Sequence, residues 1–466
     1  MAYQSMMARD GTPLLREKGG IDVVDEGNNG TFDEVDGSRV ETSASRQGRK
    51  RAALGLLILA VGAVSAVSAI GRRSTPQGES RGCALLVQLS CSAHSSDTTT
   101  NLASGASSPT VEAKATVRLS ELPDDEVLTL FDQFVSKFEK VYTDDDEAEM
   151  RRGIFRRNLK RIDELNDNSR GAVYDVSVWT DMTKKEYKSL QTYGKISDKA
   201  KEYGRRNALK LDDLASADTC QACTRYPELS QYIEGDLPTS FDWRDYGAVT
   251  LVKNQAYCGS CWSFSTTGCL EGAWYLAGHP LQSLSEQQLV TCDTEWNQGC
   301  NGGWPSLSMS YIADNGGIVP ESIYPYRKVY MGGATSHAPV CSDVVKDGNY
   351  AATLSFEVAV SDTMDEDTMA RWLILNGPLS VALDAIGMDY YSSGIDMGEY
   401  CEPLEIDHAV LIVGFGEEKG VKYWIIKNSW AISWGERGYY RLVRGENACG
   451  IADDVATIIV SDATVS

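Results

Sequence analysis

The stretch NQAYCGSCWSF, Asn254 to Phe264, sets Cys258 and Cys261 three residues apart. A secreted domain would lock both in disulfides, a redox enzyme would use them as a pair, and a cysteine hydrolase would leave one thiol free. A redox pair needs a strand ahead of it and a thioredoxin-like βαβ unit around it, and NQAY carries no strand pattern. A zinc knuckle needs a second such pair or histidines at ligand spacing. The other C-x-x-C, Cys220 to Cys223, and the four histidines, His94, His279, His337 and His408, do not supply that spacing. Neither a metal nor a cofactor is therefore expected. The residues after Cys261, SFSTTGCLEGAWYLAG, have the apolar spacing of a helix. A thiolate at that helix start gains from the dipole and from unpaired N–H groups. Cys258 falls in the loop before it, where it can reach a disulfide partner.

Twelve cysteines in 466 residues point to an oxidising compartment. The run from Ala52 to Gly71 carries no charge and is long enough to cross a bilayer as a helix. Arg46, Arg49, Lys50 and Arg51 precede it, which favours a cytoplasmic N-terminus. The expected layout is a cytoplasmic tail (1–51), a signal anchor (52–71), and a Ser/Thr/Gly-rich flexible stalk (72–118). A cleaved signal peptide is the competing reading of the same run. Tyr3-Gln4-Ser5-Met6 and the acidic dileucine at Asp10 to Leu15 have the form of endosomal sorting signals. The net charge of −22 repels nucleic acid.

Beyond the stalk, Val127, Leu128, Phe131, Phe134, Val135 and Phe138 recur at helical spacing, and a second amphipathic helix runs from Met150 to Leu165. Along it, Glu147, Arg151, Phe155, Asn158, Ile162 and Asn166 follow E-x3-R-x3-F-x2-N-x3-I-x3-N. That pattern resembles the inhibitory propeptide of cathepsin L-like papain-family cysteine proteases. A second propeptide motif of the family, G-x-N-x-F-x-D, survives only at Asp181, with Asp175, Ser177 and Trp179 in its first three places. The resemblance resumes at LPTSFDWRDYGAV near Leu237 and continues through CGSCW, GCNGGWP, the DHAV around His408, and KNSWAISWGERGYYR.

The resemblance implies an α+β fold: a papain-like pair of domains, one helical and one β-barrel-like (237–466), behind a helical inhibitory propeptide (119–236). It implies Cys261 as nucleophile and His408, at the start of the apolar strand HAVLIVGFG, as base. Asn428 would orient the imidazole, Trp430 would shield that contact, and Gln255 would donate to the oxyanion. It also implies disulfides Cys258–Cys300, Cys292–Cys341 and Cys401–Cys449, leaving Cys261 free and Cys269 as a small buried residue. Gly302 and Gly303 would pair with an extended substrate. Trp304, Pro305, Ala382 and Ile406 would line the pocket for the residue two before the scissile bond, with Asp454 at its floor. Most relatives carry a small or apolar residue there, so Asp454 is expected to admit Arg or Lys beside Leu or Phe.

The expected function is a cysteine endopeptidase that hydrolyses peptide bonds in proteins and peptides through a thiolate–imidazolium pair and a thioester acyl-enzyme. It would be made as a type II membrane-anchored zymogen of the endosomal, lysosomal or vacuolar system, inhibited by its own propeptide and activated in an acidic compartment. Two other readings remain, a non-catalytic peptide binder on the same fold and a transpeptidase using the same acyl-enzyme.

Overall fold

The computed structural model describes residues 118–466 apart from 195–197, 208, 211–219, 328–340, 342–349, 351–355, 362, 404 and 461–466. The expected tail, apolar span and stalk up to residue 117 lie outside the described residues. Among the described residues no helix is long and apolar enough to cross a membrane.

Helices α1 (Asp124–Lys137) and α2 (Asp145–Asn168) come first. Asp144 caps α2 by accepting from the N–H of Glu147 at 2.8 Å, and the Glu147 carboxylate accepts the N–H of Thr143 at 2.7 Å. These two bonds satisfy donors that the first turn would otherwise leave open. Phe131 and Phe134 of α1 meet Phe155 of α2 at 5.4 and 5.0 Å between ring centres. The rest of the α2 signature forms one face that grips the chain after it. Asn158 donates to the carbonyls of Thr180 and Met182, Asn166 exchanges two bonds with Tyr174, and Arg151 reaches the Asp181 carbonyl. Ile162 is fully buried beside them. Then follow β1 (Ala172–Tyr174), α3 (Lys184–Leu190), α4 (Asp198–Asn207), β2 (Leu209–Lys210) and α5 (Gln221–Arg225).

The remainder holds β3 (Phe241–Asp242), α6 (Cys261–Leu276), α7 (Glu286–Cys292), α8 (Pro305–Asp314), β4 (Phe356–Ser361), α9 (Glu366–Asn376), β5 (Leu379–Leu383), β6 (Tyr391–Gly394), β7 (His408–Glu418), β8 (Val421–Lys427), β9 (Tyr439–Val443) and β10 (Val455–Val460). Helix α6 is buried nearly all round, its serines, threonines and Glu271 included. One sheet runs in the order β2-β4-β10-β5-β7-β8-β9, with β3 pairing β7. It is an open sheet rather than a closed barrel. Its interior strand β7 is buried over its first nine residues, which accounts for the unbroken apolar run after His408. A second, two-stranded ladder joins β1 to β6 antiparallel, Ala172 opposite Gly394. Cysteines pair as Cys258–Cys300, Cys292–Cys341, Cys401–Cys449 and Cys220–Cys223; Cys261 and Cys269 are free and buried.

Candidate active site

Cys261 is the first residue of α6, behind Ser260, and is wholly buried. Backbone N–H groups of Ala409, Trp262 and Thr192 favour its thiolate, but burial outweighs them and pushes the thiol up to about 11. His408 opens β7 next to Ala409. Its Nε2 lies 2.9 Å from Asn428 Oδ1, and Trp430 stacks on the ring at 4.8 Å. Its Nδ1 is buried without a hydrogen-bond partner. Burial pushes the imidazole down to about 4, against the pull of Asn428. Burial beneath the cover, which excludes the water that would solvate two charges, thus disfavours the charged form of both groups in this closed state.

Gln255 is held at both ends. Its Nε2 donates to the Cys258 carbonyl at 3.0 Å, and its Oε1 accepts the Ser429 hydroxyl at 2.5 Å. The Ser429 N–H also donates to Asn428 Oδ1 at 2.8 Å. Ser429 therefore links the amide of Asn428, beside the imidazole, to the amide of Gln255. The sequence reading passed over it, although it sits between Asn428 and Trp430. Of the other histidines, His279 stacks on Trp274 at 3.6 Å, which accounts for it structurally. His94 and His337 lie outside the described residues. Among the described residues no cluster could hold a metal ion.

The cover is the chain after α3. Thr192 donates its hydroxyl to the Gly259 carbonyl at 2.7 Å, and Tyr193 donates its N–H to the Asp407 carbonyl at 2.9 Å. Tyr193 and Gly303 form a parallel bridge. The fit tolerates no side chain at Gly302: at its φ of +125°, a Cβ would stand 2.2 Å from the Thr192 carbonyl oxygen. The Tyr193 ring packs with Cys261, Trp304, Ala382 and Ala409, with Ile406 at the margin. Its hydroxyl donates to the Asp454 carboxylate. Pro305 begins α8 directly after Trp304. Nothing in the sequence pointed to Tyr193, because its role depends on which chain segment crosses the cleft.

Asp181 is buried, ion-paired to Lys140 at 2.7 Å, and accepts the Tyr142 hydroxyl at 2.9 Å. Lys140 also donates to the Tyr257 hydroxyl at 2.9 Å. Trp179 meets Trp430 edge-on at 5.3 Å. The altered second motif therefore still closes onto the tryptophan that stacks on His408.

Residues 237–459 match the papain family cysteine protease profile, and residues 131–187 match the cathepsin propeptide inhibitor domain. Cysteine proteinase 15A of Pisum sativum is 38% identical over 343 residues, 70% of this chain and 85% of the relative. Cathepsin F of Mus musculus is 36% identical over 352 residues, 73% of this chain and 67% of the relative. The solved structure of digestive procathepsin L 3 from Tenebrio molitor larval midgut superposes with a TM-score of 0.58 at 32% identity, covering 71% of this chain and 98% of that one. The chain belongs to the papain family of cysteine proteases and carries the inhibitory propeptide of a zymogen.

Proposed function

We propose that the chain is an endopeptidase in which Cys261 attacks the peptide carbonyl to form a thioester, with His408 as base, Asn428 as its orienting partner, and Gln255 with the Cys261 N–H as oxyanion donors. The observation that carries this is the imidazole fixed at Nε2 by Asn428 and unpartnered at Nδ1, at the strand end that touches the buried free thiol. Labelling of Cys261 by an epoxide after propeptide removal, together with cleavage inside a long peptide, tests it. A chain that is labelled but joins peptides instead of shortening them would be a transpeptidase. Residues 52–71 anchor the zymogen in this reading, and residues 237–466 work on the lumenal side of an acidic endosomal, lysosomal or vacuolar compartment.

Asp454 sets the preference two residues before the scissile bond. The support is that its carboxylate accepts the hydroxyl of Tyr193, the side chain filling the place between Trp304 and Ala382. A carboxylate within reach of that ring can equally receive Arg or Lys. Asp454→Ala is expected to lower the ratio of Arg to Leu substrates at that position on the order of 10- to 100-fold, the scale of hydrogen bonds to charged groups. Peptides varied at that residue alone measure it; an unchanged ratio excludes Asp454 from the pocket.

Acid release runs through His408 before the propeptide carboxylates. A group lowered in the closed state supports that state fully above its free value, and this support fades as pH falls through the lowered one. For His408, lowered by burial to about 4, the window runs from about pH 6.5 down to that value. Glu147 is held below the usual carboxylate range by the N–H and O–H of Thr143. Burial raises Glu186, but the Thr183 hydrogen bonds and Arg151 outweigh it and hold it low as well. Their support fades only below about pH 4.3. Asp389, pushed up to about 7 by burial, acts in the opposite sense: its support for closure is lost as pH rises. Hydrogen exchange of residues 184–194 in a Cys261→Ala chain, which cannot cut itself, is expected to rise between about pH 6.5 and 4. Adding His408→Ala should leave only the acid end of that rise. An identical curve in both chains removes the histidine from the release.

A further inference from the structure

The segment between the propeptide and Leu237 packs on a different part of the molecule from the part that blocks the cleft. Gln221 of α5 is nine-tenths buried. Its Nε2 donates to the Ala273 carbonyl of α6 at 3.0 Å, and its Oε1 accepts the N–H of Val460 in β10 at 2.7 Å. Arg225 donates to the carbonyls of Tyr275 and His279 at 2.7 and 3.3 Å, and its guanidinium lies 3.8 Å over the Tyr275 ring. It thus caps the last turn of α6 with positive charge, where a helix leaves carbonyls unpaired and its dipole is negative. Further on, Arg371 of α9 donates to the carbonyls of Tyr232, Ile233 and Gly235. Ala222 and Leu229 are buried in the same core cluster as Trp243 and Trp372. Tyr226 donates to the Tyr246 carbonyl at 3.0 Å and sits at 5.0 Å from that ring.

The Gln221 and Arg225 contacts with α6 lie at the end of that helix opposite Cys261. The helix has 16 residues, so the two ends stand ~24 Å apart at 1.5 Å per residue. Opening the cleft requires removal of Thr192 and Tyr193. It does not require removal of α5. Losing α5 would strip a hydrogen bond from the buried Ala273 carbonyl, another from the half-buried Val460 N–H, and the cap from the helix that carries the thiol.

We infer that Cys220–Asp236 is a permanent part of the catalytic domain, and that the cut releasing the propeptide falls on the amino side of Cys220 rather than near Leu237. That cut hydrolyses one peptide bond, water supplying the hydroxyl of the new carboxyl group and a proton of the new amine. The mature chain then begins with a strap stapled by Cys220–Cys223. This does not rest on the peptidase reading, because an added protease can make the cut.

The test takes the full Cys261→Ala chain and raises the pepsin dose until α2 is lost. Intact mass and N-terminal sequencing then locate the start of the folded remainder. Cys220 and Cys223 are expected to remain in it, giving two further alkylated cysteines after reduction. In a second chain, Gln221→Leu with Arg225→Met is expected to lower the melting midpoint of that trimmed remainder by roughly 4–8 °C, the scale of about two kcal/mol in a domain this size. A folded remainder that begins after Cys220, or a midpoint unmoved by the two substitutions, overturns the inference.

Discussion

His408→Ala is expected to lower kcat/KM on a peptide substrate by roughly 10,000-fold or more, the scale seen when the base of a nucleophile–base pair is removed. The geometry makes the ring hard to replace. One nitrogen is committed to Asn428 at 2.9 Å, the face is covered by Trp430, and the other nitrogen has no partner in the closed state. In the proposed reaction, once the cover leaves, that nitrogen would take the thiol proton. Asn428→Ala should cost less, since the tryptophan and the strand end still position the ring. The propeptide must be removed by an added protease in every variant, so that failure to mature is not read as failure to catalyse. If the trimmed His408→Ala enzyme kept activity within tenfold of the parent, the base would have to be sought elsewhere.

Lys140→Met is the second large effect. Lys140 and Asp181 are both almost wholly buried and stand 2.7 Å apart. Lys140 also reaches the carbonyl of Val178 and the hydroxyl of Tyr257, at the edge of the Cys258 loop. Removing one partner of a buried ion pair leaves an uncompensated charge, at a cost of about 3–5 kcal/mol. At about 1.4 kcal/mol per tenfold, the closed state should weaken more than a hundredfold. A thiol probe added at pH 7 should then label Cys261 faster by a similar factor. Combining it with Asp181→Leu should recover part of the latency, because no lone charge remains. Equal labelling of parent and Lys140→Met would show that this pair does not hold the cover in place.

The helical hairpin was legible from spacing because α1 and α2 bury one stripe each, and stripes leave a period in the sequence. Strand β7 was legible as an apolar run because it lies inside the sheet, with neighbours on both sides. The helix that starts at Cys261 was legible for a similar reason. What could not be read were contacts set by the third dimension alone. Ser429 looks like an ordinary serine until its hydroxyl is seen on Gln255. Tyr193 looks like a linker tyrosine until it fills the cleft. The polar residues after Lys184 carry no long apolar stripe, yet α3, α4 and α5 form there. Helices of five to ten residues owe their stability to what they dock on rather than to their own pattern. The Cys220–Cys223 pair had no assignment in sequence because its partner choice depends on that docking.

The bond from Tyr193 to Asp454 has a consequence for how such an enzyme can diversify. On the proposed role of Asp454, one carboxylate would both select the diet of the active form and help hold the dormant form shut. Drift at residue 454 toward a new taste therefore leaks activity early, unless residue 193 changes in step. Lineages that alter one should be found to have altered the other, as a locksmith recuts the key with the lock.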